Sequence, residues 1–302
     1  MLGVIFLLPA LPVMTFSRKF RIVNVFAETP LGGNPLCVFE DGEGLDASTM
    51  QALALQFNLS ETTFILNASV PTATRCVRIF TPTFEMPFAG HPTLGTAHVV
   101  RVLTGLGDAV HLQMQAGIIP VHAQGDRWTL QAGAPTWHDS GRTRAEIAVM
   151  LGIDESDVRD GDLWVDTGSE QWVIPLASPE AVARCRPVAA DLARYSVGSK
   201  RRGLAYVWAP VDDRSIRVRF FLDRLGCVFE DPGTGSACAN LGGWLIARGS
   251  TLPLSFEVLQ GDHLGRPCRL GLAVDEQRRI FVSGRVIEIG RGEILLPGAR
   301  SA

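Results

Sequence analysis

The sequence predicts an antiparallel-rich α+β fold built as two similar halves, each wrapping strands around a central helix. Two observations carry this. Many short strand-like runs stand against few helical ones, which argues against a doubly wound parallel sheet. In addition, two small-residue segments begin almost half a chain apart: "GHPTLGTAHVVRVLTG" from Gly90 and "GTGSACANLGGWLIARG" from Gly233. Each follows an extended segment with an acidic residue and proline, "TPTFEMPFA" in one case and "CVFEDP" in the other. Each has apolar residues on most faces, as a helix buried all round does.

The remaining elements follow in order. "FRIVNVFA" reads as a strand, "ETPLGGNP" as a turn and "LCVFED" as a second strand. "DASTMQALALQFN" places Met50, Leu53, Ala54 and Phe57 at helical spacing, with Asp46 or Ser48 as N-cap. "ETTFILNA" and "TRCVRIFTP" are strands that lead to the first small-residue helix. Beyond it, "VHAQG" and "WTLQAGAP" are strand-like, and "TRAEIAVMLGI" is a helix ending near Gly152. "EQWVIPLA", "GLAYVWAP" and "IRVRFFLD" lead to the second such helix, and "LSFEVLQG", "CRLGLAVD" and "RIFVSGRVIEIGRGEILL" complete the chain. The expected domains are 14–135 and 136–284, with a last strand at about 285–302 returning to the first.

The chain has 302 residues, 46% apolar and 20% charged, with a formal net charge of -3. That length suits one large domain or two ordinary ones. The balance is that of a globular protein and suggests neither a nucleic-acid nor a membrane partner. Lys200-Arg201-Arg202, the one dense basic cluster, reads as a solvated loop. The six cysteines form no C-x-x-C pair, so they read as scattered thiols of a reducing compartment. "MLGVIFLLPALPVM" has no basic flank and two prolines, and it is too short to span a bilayer. It reads as an extension ahead of a domain beginning near Met14, and the protein as cytoplasmic.

Chemistry concentrates at the two helix starts. A helix N-terminus carries unpaired N–H groups and a partial positive charge, so it attracts anions. Two such starts facing each other could grip one carboxylated molecule, with His91 at the mouth. His91 could equally be a capping or core histidine. His91 and His98 stand about 10.5 Å apart along a helix, too far to share one ion. His111, His122, His138 and His263 show no ligand spacing. In "EDPGTGSACA", Asp231 or Ser236 could bond a substrate amine or hydroxyl, or simply cap the helix. Glu61, in "NLSETTFIL", lies beside Phe64 and Ile65. Desolvation there would raise its pKa and suit it to acid/base work, whereas a solvated carboxylate would do nothing. G-x-S-x-G, G-x-x-x-x-G-K-[ST] and H-E-x-x-H are absent. Only Lys19 and Lys200 are lysines, which gives a Schiff-base cofactor poor support. "DPGTGSACA" lacks the spacing of a dinucleotide fingerprint.

"VNVFAETPLGGNPLCVF", "NLSETTF", "FTPTFEMPFAGHPTLGTAH", "EDPGTGSACANLGGW" and "QGDHLGRPCRL" together resemble the PhzF family of phenazine-biosynthesis isomerases, in order, from about Phe20 to Leu296. Two departures are Gly233, where the family often has alanine, and the N-terminal extension. The resemblance implies the diaminopimelate epimerase-like fold, two barrel-like domains with the active site between them. It implies catalytic roles for Glu61, His91 and Asp231, and substrate binding by Gly90, Thr234, Gly235 and Ser236. It implies no cofactor, no metal, and a homodimer acting on a small carboxylate. The reaction implied is an acid/base proton shift on a cyclic substrate like dihydro-hydroxyanthranilate. Epimerisation, racemisation or dehydration of another small amino or hydroxy acid is the alternative, or a non-catalytic binder. In the wider superfamily a pair of cysteines serves at the two glycine turns, where this chain is expected to present Ala89 and Pro232.

Overall fold

The computed structural model describes residues 15–196, 198, 203–224 and 226–297. The N-terminal extension and the Lys200-Arg201-Arg202 loop of the sequence reading lie outside these residues.

The duplication read from the two small-residue helices is written into the strand pairing. In the first half, Thr15–Val25 pairs antiparallel with Asn34–Phe39, which runs parallel to Glu61–Leu66. That strand is antiparallel to Arg75–Phe80, which runs parallel to Ala109–Met114, itself antiparallel to Gly117–Gln124. The second half repeats the sequence of contacts: Leu163–Asp166 antiparallel to Glu170–Pro175, parallel to Leu204–Pro210, antiparallel to Ser215–Arg224, parallel to Leu254–Gln260, antiparallel to Cys268–Val274. The sheet is thus mainly antiparallel, with two parallel contacts in each half.

Parallel neighbours cannot be joined by a hairpin and need a crossover. Here the crossovers are the helices. Ala47–Phe57 serves the first parallel contact, and Gly90–Thr104 serves the second. In the other half the corresponding crossovers are Pro179–Arg184 with Ala189–Tyr195, and then Gly235–Ala247. Gly90–Thr104 and Gly235–Ala247 lie in the main core, where Leu94, Ala97, Val99, Val100, Ala237, Cys238 and Leu241 are fully buried. The other crossover helices cover outer faces. Phe39, Phe64 and Phe80 are buried beneath Ala47–Phe57, with Phe39 stacked on Phe64. A strand covered on both faces needs no polar alternation, and Glu170–Pro175 is buried at every position.

The last strand, Ile280–Pro297, ties the halves together. Its first residues pair with both Cys268–Val274 and Arg127–Gln131, and its remainder pairs with Thr15–Val25. This closes the first half as an eight-stranded barrel. Arg127–Gln131 crosses the other way, continuing into Thr136–Asp139, which pairs with Leu163–Asp166.

Several local expectations are refined. Asp46, not Ser48, caps its helix, accepting the Thr49 N–H at 2.7 Å, while the Ser48 hydroxyl donates to Asp46. The second central helix begins at Gly235, not Gly233, because the Gly233 carbonyl accepts from the Asn34 side chain at 2.9 Å instead of opening the helix. Pro179–Arg184 and Ala189–Tyr195 were not read as helices, although Ser178 as cap and Pro179 at the first position are start signals. Among the described residues no helix is long and apolar enough to cross a membrane.

The turn that carries Asn34 depends on Gly33. Its φ is +76°, and a Cβ there would lie 2.6 Å from the Val25 carbonyl oxygen and 2.7 Å from the Ala27 Cβ. Gly33→Ala is expected to cost about 2 kcal/mol or more, through backbone strain and a clash with main chain. A urea midpoint equal to that of the parent protein would refute this account of the turn.

Candidate active site

The two central helices meet at their N-termini. A Cβ on Gly90 would stand 3.4 Å from the Gly235 backbone, and one on Gly235 would stand 3.2 Å from the Phe26 ring. Neither N-cap residue, Ala89 or Thr234, makes a side-chain cap hydrogen bond. Two sets of first-turn N–H groups therefore face one place, with the positive ends of two helix dipoles together. This arrangement is unfavourable when empty and favourable around an anion.

The helix register also corrects one expectation. Ala89 and Thr234 are equivalent caps, so Gly90 matches Gly235 and His91 matches Ser236. The residue matching Ala89 is Thr234, not Pro232. Neither is a cysteine. Cys238 lies fully buried inside the helix, with burial pushing its thiol pKa up, so a neutral thiol is favoured over a reactive thiolate.

Beside this meeting point lies a cavity of about 430 Å³ between the halves. Glu61, His91, Asp231, Gly90, Thr234, Gly235 and Ser236, the residues singled out in the sequence, all line it. Met86, Phe88, Leu204, Phe220, Leu222 and Phe229 supply apolar wall.

Glu61 opens the strand that runs parallel to Asn34–Phe39, and that pairing carries its carboxyl to the first helix start. Glu61 Oε2 lies 3.3 Å from His91 Nε2, with the side chains 16% and 6% exposed. The contact is off the direction of a hydrogen bond, and neither atom has another partner among the described residues. Burial pushes the Glu61 carboxyl up to about 8, with Asp231 adding to the shift and Arg224 opposing it. Burial pushes His91 down to about 3, against the effect of a hydrogen bond to the Pro35 backbone. Proline offers only a carbonyl, so the ring donates to it. Nε2 has no hydrogen-bond partner among the described residues, and Nδ1 lies 3.5 Å from the Asn34 amide nitrogen. A neutral imidazole thus stands against a carboxyl that keeps its proton near neutrality.

Asp231 is treated differently. Its Oδ1 accepts from the Asn34 amide at 3.1 Å and from the Ser60 hydroxyl at 3.4 Å, while its Oδ2 accepts from the Thr234 hydroxyl. Burial raises its pKa and these donors oppose the rise. Gln260 fixes the cluster by accepting the Thr234 N–H at 3.1 Å and donating to the Asp231 carbonyl at 2.8 Å and the Thr234 hydroxyl oxygen at 3.1 Å. The Thr234 hydroxyl is therefore committed within the protein. The Ser236 hydroxyl oxygen accepts from Gln171 at 3.1 Å.

Sequence reasoning missed Asn34, Ser60, Gln171, Arg224, Asn240 and Gln260. Asn34, Ser60, Asn240 and Gln260 stand within or beside the motifs quoted above, which was the available signal. Gln171 and Arg224 lie in strands outside those motifs, with no local mark.

A family model described as "Phenazine biosynthesis-like protein" matches residues 23–292. A Pasteurella multocida protein named as an uncharacterized isomerase is 41% identical, over 94% of this chain and 96% of its own. The trans-2,3-dihydro-3-hydroxyanthranilate isomerase of Pseudomonas chlororaphis is 34% identical, over 92% of this chain and 100% of its own. The crystal structure of a PhzF family protein from Bacillus anthracis superposes with a TM-score of 0.82 at 22% identity, covering 93% of this chain and 100% of that one. Fold and relatives together define an isomerase of the epimerase-like architecture. The chain belongs to the PhzF, or phenazine biosynthesis-like, family.

The raised Glu61 pKa has a consequence for stability. Below the ordinary carboxyl value of 4.5, both folded and unfolded states hold the proton. Between 4.5 and about 8 the unfolded chain releases it while the folded site retains it, so folding loses stability as pH rises. Glu61→Gln removes this cost. The variant is expected to be more stable than the parent by on the order of 5 kcal/mol near pH 8.5, with the gain gone near pH 4.5. Urea unfolding at both pH values checks it. A pH-independent difference would mean that Glu61 is not desolvated.

Proposed function

We propose that this protein is a cofactor-independent isomerase that shifts a proton by general acid/base catalysis on a small carboxylated cyclic substrate similar to dihydro-hydroxyanthranilate. The observation that carries the reading is the buried Glu61 Oε2, without a hydrogen-bond partner among the described residues, facing His91 at the cavity where two uncapped helices meet.

The ionised fraction of Glu61 takes a proton from an sp³ carbon of the substrate. The electron pair left behind spreads over the adjoining double bond, and the Glu61 carboxylic acid returns the proton to the far end of that allylic unit. One C–H bond breaks, another forms, and the oxidation level is unchanged, so no electron carrier enters the balance. A carboxyl with a pKa of about 8 is a stronger base than an ordinary one and a better match to a carbon acid. His91 Nε2 lies within reach of the same proton. The helix N-termini hold the substrate carboxylate and stabilise charge that develops on it as the electron pair spreads. Asp231 orients an amine or hydroxyl, and the apolar wall takes the ring. An epimerase would need a second base across the substrate. The caps supply no thiol, and both Asp231 oxygens already accept hydrogen bonds, so the single-base shift is the better fit. Six unpaired cysteines suit a cytoplasmic setting.

The test is to add trans-2,3-dihydro-3-hydroxyanthranilate, the substrate named for the Pseudomonas chlororaphis relative, in deuterated buffer and follow NMR and absorbance. The expected result is isomerisation with deuterium at carbon, kcat/KM rising with pH to about 8 and then levelling. Glu61→Gln is expected to lower turnover by about 100-fold or more. Wild-type turnover by that variant removes Glu61 from the mechanism. No reaction by folded parent protein rejects this substrate.

A further inference from the structure

A chain of side-chain amides leads to the cavity wall at Gln171, and its orientation can be deduced from one backbone hydrogen. The Thr167 N–H is a donor whatever its surroundings, and it points at Asn240 Oδ1 at 2.9 Å. The Thr167 hydroxyl donates to the same oxygen at 2.6 Å. The other end of the amide, Nδ2, meets the Ser169 carbonyl at 2.7 Å, and a carbonyl can only accept. Asn240 is therefore oriented from both sides. Its Nδ2 also donates to Gln171 Oε1, which turns Gln171 Nε2 the opposite way. There its two hydrogens go to Ser169 Oγ and Ser236 Oγ, each at 3.1 Å. Asn240 is fully buried and Gln171 is 3% exposed, so water does not compete for these bonds.

The consequence falls on the two serines. Each hydroxyl oxygen already accepts one hydrogen bond from Gln171, which narrows the directions left to it, and neither hydroxyl proton has an acceptor among the described residues. Ser169, Ser236 and Gln171 all line the cavity, next to the first-turn N–H groups that start at Gly235. The wall therefore offers donors to a ligand.

The duplicated fold places an orienting group at the same point in the other half. Pro35 is the second residue of the six-residue strand Asn34–Phe39, and Gln171 is the second residue of the six-residue strand Glu170–Pro175. The Pro35 backbone stands against His91, and Gln171 donates to Ser236, the residue matching His91.

We propose that Gln171, held by Asn240, is a positioning residue that makes Ser169 and Ser236 hydrogen-bond donors, so that this wall selects a carboxylate over its neutral amide. This rests on the reading that the cavity takes a carboxylated substrate, and it assigns Ser169 to the binding set. Calorimetry with two non-reacting rings tests it, anthranilate and anthranilamide, because binding does not require turnover. A failed isomerase assay and a failed binding test are then separate results.

The parent protein is expected to bind anthranilate at least about tenfold more tightly than anthranilamide, the order that a charge-assisted hydrogen bond supplies. Gln171→Met keeps the side-chain length and leaves Asn240 its Ser169 carbonyl. It frees the serine hydroxyls to turn and accept, and the preference is expected to fall toward unity. Ser169→Ala, at a partly exposed position in the turn between two strands, is expected to weaken anthranilate and leave anthranilamide unchanged. It decides the matter if Gln171→Met does not fold. An unchanged preference in either folded variant, an equal loss for both ligands, or no carboxylate preference in the parent overturns the proposal.

Discussion

The contact on which the rest of the structure depends is the meeting of two helix N-termini at Gly90 and Gly235. The backbones approach so closely there that a side chain on Gly90 would touch main chain across the interface. Like ends of two dipoles face each other, which is unfavourable without an anion. The fold supplies the force that holds them. Each helix is a crossover between parallel strands and is buried in the core, and Ile280–Pro297 binds both halves through its ladder. The unfavourable electrostatics are thus outweighed by burial, and the site is prepared before a ligand arrives.

Against this symmetric frame the chemistry is asymmetric. Equivalent positions carry His91 and Ser236, and the carboxyls of Glu61 and Asp231 receive opposite treatment. Asp231 has Asn34, Ser60 and Thr234 donating to it, whereas Glu61 Oε2 faces the His91 ring without a hydrogen bond among the described residues. Both carboxyls are pushed up by burial, but only at Asp231 do hydrogen bonds push back. Environment alone can separate two carboxyls into different roles. The same desolvation that raises the Glu61 pKa costs the fold stability as pH climbs above the ordinary carboxyl value. That is the usual relation between a strained site and the scaffold that holds it.

Much of the site was legible because its elements are local. The Glu61 motif ends a loop beside an apolar strand, and His91 heads a small-residue helix. What was misread was also informative. The sequence reading starts the second small-residue segment at Gly233, two residues ahead of the helix itself. In the folded protein Gly233 packs against Cys268, its added Cβ standing 2.7 Å from that sulfur, and its carbonyl serves Asn34. Those partners come from distant strands and leave no local pattern.

By itself, the sequence determined the class of fold and the two buried helices, and it singled out Glu61, His91 and Asp231. These follow from periodicity, from turn chemistry and from a few motifs, each contained within about twenty residues. The tertiary structure alone decided the register that equates His91 with Ser236, the approach of Glu61 to His91, and the amide chain from Thr167 through Asn240 and Gln171 to the serines. The Asn34–Asp231 bond spans 197 residues of sequence, and the Gln171–Ser236 bond spans 65. Whether a buried polar atom donates or accepts depends on the partner opposite it, and that partner is known only once the chain has closed.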